Sequence, residues 1–99
     1  MKDEILAFIK HFQNDGTIKA FTNGCCYWFA QILKERFDGV IVYDPTDNHF
    51  ATMIDGRIYD ITGFLEIPGV FIEWREYQLT DPLESSRLYR DCILKLDRL

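Results

Sequence analysis

The chain has no basic stripe. Its 99 residues carry 11 Lys and Arg against 16 Asp and Glu, a formal net charge of −5. The cations are dispersed, apart from a modest group at Arg87, Arg90, Lys95 and Arg98. Nucleic-acid binding needs clustered cations to neutralise phosphates, so nucleic acid is not an expected partner. No apolar run approaches the ~20 residues that cross a bilayer, and no membrane partner is expected. The opening Met1-Lys2-Asp3-Glu4 lacks the basic stretch, apolar run and small-residue cleavage site of a secretory signal. Cysteine is scarce: there are three, and Cys25 and Cys26 are adjacent. They cannot all pair internally, so a disulfide framework is not expected and a reducing, cytoplasmic setting is. Six Gly and three Pro leave no linker, repeat or low-complexity tract, and residues 1–99 read as a single domain. Oligomeric state is not legible, and no cofactor is expected.

What the chain does have is aromatic mass. Eight Phe, five Tyr and two Trp supply large buried areas per residue, enough for an adequate core at this length. Residues 3–12 place Ile5, Leu6, Phe8, Ile9 and Phe12 at helical spacing, with an end near Asn14-Asp15-Gly16. A second helix is capped by Thr22 or Asn23 and runs through Cys26 to Phe37. It is apolar on most sides, as a central buried helix is, and ends at Asp38-Gly39. The period then changes. Val40 to Tyr43 reads as a strand, Asp44 to Asn48 as a turn, and His49 to Ile54 as a second strand. Asp55-Gly56 is a hairpin signal leading into Arg57 to Ile61, and Thr62-Gly63 breaks the meander. Within 64–79, residues 69–74 read equally as strand or extended segment, and 73–79 alternate weakly. Asp81, Pro82 and Glu84 then form a capping signature for a last helix with Leu88, Cys92 and Leu96 on one face. Helices, then strands, then a helix, without βαβ alternation, define an α+β class.

One constellation carries chemistry. With Asn23 as N-cap, Cys26 occupies the first turn of its helix, where free N–H groups and the macrodipole favour an anion. A thiolate is the nucleophilic form of cysteine, and helix N-termini favour it. Gly24 permits close backbone approach, and the Cys26 N–H is a donor available to a developing oxyanion. Cys26 shares its helix face with Phe29 and Leu33, whereas Cys25 points about 100° away with Trp28 and Ile32. Counting outward from Asp55-Gly56 pairs 54 with 57, 52 with 59 and 51 with 60, which sets Asp60 diagonal to His49.

Blander readings stand beside these. Cys25 and Cys92 are small buried hydrophobes, and His11 is a solvated helix residue. His49 by itself is a strand-end histidine, and Asp60 by itself caps the Thr62-Gly63 turn. Zinc at Cys25, Cys26, His49 and Cys92 is disfavoured because vicinal cysteines lack the C-x₂₋₄-C spacing. Asp44, Asp47 and Asp55 lack the spacing of a calcium loop. No metal site is expected.

Gly24-Cys25-Cys26-Tyr27-Trp28-Phe29-Ala30, followed by His49-Phe50 and Tyr59-Asp60-Ile61-Thr62-Gly63, resembles the papain-like cysteine peptidases, closest to small phage-associated and NlpC-type members. The resemblance covers residues 22–63. It implies a papain-like core, with Cys26 as nucleophile, His49 as base and Asp60 as the residue orienting the imidazole. The family's oxyanion-hole Gln has no counterpart in Ala20-Phe21-Thr22, so that role would fall to Asn23 and the backbone N–H of Cys26. The implied function is hydrolysis of a peptide, isopeptide or side-chain amide bond, with a peptide, an amide or a protein as substrate. The alternative is a papain-like fold without turnover, serving as a protein-binding or regulatory module.

Overall fold

The computed structural model describes residues 2–22, 26–66 and 70–90. Three helices come first: α1 (Lys2–Phe12), α2 (Asp15–Thr22) and α3 (Cys26–Phe37). Five strands follow, β1 (Val40–Asp44), β2 (His49–Ile54), β3 (Arg57–Asp60), β4 (Gly63–Phe64) and β5 (Ile72–Glu73), and then α4 (Trp74–Thr80) and α5 (Pro82–Leu88). The strands form one antiparallel sheet in the order β4-β3-β2-β1-β5. Helices pack on this sheet, as the α+β reading expects. Among the described residues no helix is long and apolar enough to cross a membrane.

The expected register is present: Ile54 faces Arg57 and Thr52 faces Tyr59. Both turn residues, Asp55 and Gly56, have positive φ, as a type I′ hairpin requires. The expected end of α3 at Asp38-Gly39 is also met, with the two residues dividing the work. Asp38 adopts the left-handed conformation at φ 56°. Gly39 is needed for space, because a Cβ there would lie 2.7 Å from Thr52 Cγ2 and 2.9 Å from the Met53 carbonyl oxygen.

Three segments differ from expectation. Asn14-Asp15-Gly16 ends α1 but also starts α2. Asn14 Oδ1 accepts from the Thr17 N–H at 2.9 Å while Thr17 Oγ1 accepts from the Asn14 N–H at 3.0 Å, a reciprocal capping box with Thr as the third residue. The meander continues past Thr62-Gly63, since Gly63 and Phe64 turn back to pair with Asp60 and Tyr59. Finally, the ambiguous stretch resolves into a short edge strand, β5, and the helix α4. Trp74 and Tyr77, one helical turn apart, face the rings of Tyr43 and Phe50, so packing overrides the weak alternation. The capping of α5 is as expected, with Asp81 accepting from the Glu84 N–H at 3.2 Å. Cys92 and Leu96 lie outside the described residues.

Two clusters make the core. One joins Ile5 and Ile9 of α1 to Phe29 and Leu33 of α3 and to Ile54, Tyr59 and Ile61. The other joins Cys26 and Ala30 to Ile41, Tyr43, Phe50, Trp74 and Leu88. Helix α3 thus buries the face carrying Cys26, Phe29, Ala30 and Leu33, as expected. Tyr27, Trp28 and Ile32 remain only half-buried, so α3 is less enclosed than its composition suggested. Thr52 is fully buried, and its hydroxyl donates to the Ala30 carbonyl at 2.7 Å, which ties α3 to the centre of the sheet.

Candidate functional site

Three elements end near one another. Helix α3 begins with Cys26, β2 begins with His49 and β3 ends with Asp60. Antiparallel pairing of β2 with β3 brings the start of one beside the end of the other, and packing of α3 on β2 brings the helix start there too.

His49 Nε2 lies 2.8 Å from Asp60 Oδ2. A carboxylate only accepts, so Nε2 carries the proton and Nδ1 is left for other partners. Both groups are largely withdrawn from water, with 20% and 10% of their side-chain surfaces exposed. The His49 pKa is raised from 6.5 to about 10. The hydrogen bond to Asp60 is the largest cause and hydrogen bonding with the Cys26 thiol the next, while burial acts in the opposite direction. His49 is therefore an imidazolium at neutral pH. For Asp60, burial alone would push the pKa up. Hydrogen bonds from His49 and from the Thr62 side chain and backbone outweigh it and hold the carboxyl below its usual 3.8.

Cys26 is buried, at 7% exposure. Its Sγ accepts from the Phe50 N–H at 3.5 Å, so the residue that follows His49 on β2 holds the sulfur through its backbone.

Cys26, His49 and Asp60 are thus brought together. Asn23 and Cys25 lie outside the described residues, as does Cys92. Among the described residues, no group of three or more His, Cys, Asp or Glu side chains is arranged to hold a metal ion. Two contacts escaped the sequence reading. Phe50 contributes through its amide, which no side-chain pattern reports. The expected capping of the Thr62-Gly63 turn by Asp60 is met, with the Thr62 N–H donating to Asp60 Oδ1 at 2.8 Å, but the Thr62 hydroxyl's bond to the same oxygen was not anticipated. A concavity of about 360 Å³ is lined in part by Tyr27, Ile41 and Trp74, neighbours of Cys26 in sequence or in the core. An apolar groove of about 610 Å³ lies on the other side of α3, between Phe8, Phe21, Trp28 and Ile32, away from the Cys–His–Asp cluster.

Fold and site together define an α+β protein, helices on an antiparallel sheet, with a thiol, an imidazolium and a carboxylate gathered where a helix and two strands end. The chain belongs to the phage YunG-like protein family, whose model matches residues 5–86, a span that includes all three side chains. No curated protein and no solved structure matches the chain.

Proposed function

We propose that the protein is a papain-like thiol hydrolase acting on a peptide, isopeptide or side-chain amide bond. The observation that carries this reading is the gathering of three side chains at one end of the sheet: His49 Nε2 lies 2.8 Å from Asp60 Oδ2, and the amide of the next residue, Phe50, donates to Cys26 Sγ at 3.5 Å. In the first half-reaction the Cys26 thiolate attacks the carbonyl carbon, and the imidazolium gives its proton to the leaving amine as the C–N bond breaks. A thioester remains on Cys26, and His49 is neutral. In the second, His49 takes a proton from water, the hydroxide adds to the thioester and the C–S bond breaks, which returns the thiolate and the imidazolium. Asp60 stays ionised throughout and holds the ring in one orientation. The backbone N–H of Cys26 and the side chain of Asn23 would serve the oxyanion. An amine in place of water makes the same residues an acyl transferase. No cofactor enters this scheme.

A second reading is favoured by one observation. The sulfur is buried in the same cluster as Trp74 and Leu88 rather than open to a cleft. A protein-binding or regulatory module that retains the fold without turnover would have such a thiol.

Iodoacetamide labelling separates the two. The protein is alkylated between pH 5 and 9, and the adducts are mapped by digestion and mass spectrometry. The hydrolase reading expects fast labelling of Cys26 below pH 7, lost in His49→Ala. Labelling of Cys26 no faster than that of Cys25 or Cys92 at every pH would overturn it.

A further inference from the structure

The two oxygens of Asp60 are divided between partners. Oδ2 faces His49 Nε2, while Oδ1 accepts two bonds from a single residue, the Thr62 N–H at 2.8 Å and the Thr62 hydroxyl at 2.5 Å. A carboxylate held at one oxygen only can rotate about its Cβ–Cγ bond, and the imidazole would turn with it. Held at Oδ1 by two donors, it presents Oδ2 in one direction.

The turn that carries Thr62 does not depend on this hydroxyl for its shape. Ile61 is fully buried in the core, its carbonyl accepts from Gln13 Nε2 at 2.8 Å, and Gly63 and Phe64 pair with Asp60 and Tyr59. Thr62 itself is exposed, so its side chain contributes nothing to core packing. What its hydroxyl touches is the carboxylate. From this geometry we infer that Thr62 is a positioning residue, acting through Asp60 to fix the His49 ring against Cys26. The inference rests on the thiol-hydrolase reading above. It adds a fourth member to the relay, reaching from the sulfur to the β3–β4 turn. The same hydroxyl contributes to the lowered pKa of Asp60, which is consistent with it bonding the ionised form.

The test compares Thr62→Val, which keeps the shape and the backbone N–H but removes the hydroxyl, with Thr62→Ser, which keeps the hydroxyl. Two quantities are read in the whole protein: the Asp60 carboxyl carbon titration by NMR and the rate of Cys26 alkylation at pH 6. Thr62→Val should raise the Asp60 midpoint and slow alkylation about tenfold, the order carried by one hydrogen bond to a charged group. Thr62→Ser should restore both. An unchanged alkylation rate in Thr62→Val, or a Thr62→Ser variant as slow as Thr62→Val, overturns the inference even where His49→Ala slows labelling. If His49→Ala leaves Cys26 labelling untouched, the hydrolase reading fails first and this one with it.

Discussion

Replacing Asp60 by Asn removes one charge and almost no volume. The carboxamide still offers an oxygen to His49 Nε2, so the variant isolates the charge. In the native protein the His49 pKa is raised to about 10, chiefly by the hydrogen bond to Asp60, against a burial effect that acts to lower it. The pair is 2.8 Å apart and mostly shielded from water, so solvent screens little of the interaction. A carboxylate in such contact with a cation shifts its pKa by about 1–3 units. Asp60→Asn should therefore lower the His49 midpoint by more than one pH unit. The same substitution should cost about 1.5–3 kcal/mol of stability near pH 6, the range for a hydrogen bond between charged groups. The chain has only two histidines, so a His11→Gln background leaves one imidazole to follow by nitrogen-detected NMR across pH 5–11. A His49 midpoint within ~0.5 unit of the parent would refute the reasoning, since the largest cause of the shift would then lie elsewhere.

The same pair shapes the stability curve. A raised His49 pKa contributes stability that is fully present below pH 6.5 and is lost as pH rises through about 10. The lowered Asp60 pKa contributes stability present above pH 3.8 and lost as pH falls through its lower folded value. Urea midpoints should therefore be highest between about pH 4 and 6.5 as far as this pair decides, and fall on both sides. The fall should steepen above pH 10, where Tyr27, Tyr59 and Tyr77, all raised first by burial, ionise more readily in the unfolded chain. A urea midpoint for the parent that moves no more between pH 7 and 10 than that of Asp60→Asn would count against the pair. Gly39→Ala should destabilise by about 1–3 kcal/mol, because the new methyl would lie within 3 Å of Thr52, of Ile54 and of the Met53 carbonyl. An unchanged urea midpoint for that variant would show that the sheet yields there at no cost.

Much of this protein was legible from local pattern. Periodicity marked α1 and α3, and the face of α3 with Cys26, Phe29 and Leu33 is the buried one because a helix against a sheet hides one stripe. The Asp55-Gly56 pair marked its hairpin, and counting outward from that turn gave the observed β2–β3 register, since antiparallel pairing follows arithmetically once the turn is set. That register is also why Asp60 was legible as a neighbour of His49. The capping residues of α5 were read from Asp81, Pro82 and Glu84 alone.

Other features depended on the assembled chain. The two-residue strands β4 and β5 have no period of their own, and each exists because an edge of the sheet offers it backbone partners. Helix α4 was obscured because Trp74 and Tyr77 face rings from β1 and β2 that lie about 25 to 35 residues earlier in the chain. The start of α2 was hidden by a capping residue, Asn14, that also terminates α1. At the site, residue types nominated Cys26, His49 and Asp60, but charge states follow from distance and burial. The imidazolium of His49 needs a carboxylate 2.8 Å away and little water between. The grip of Thr62 on Asp60 and of the Phe50 amide on Cys26 are likewise tertiary facts, since both rest on where a turn and a strand backbone come to lie once the sheet has formed.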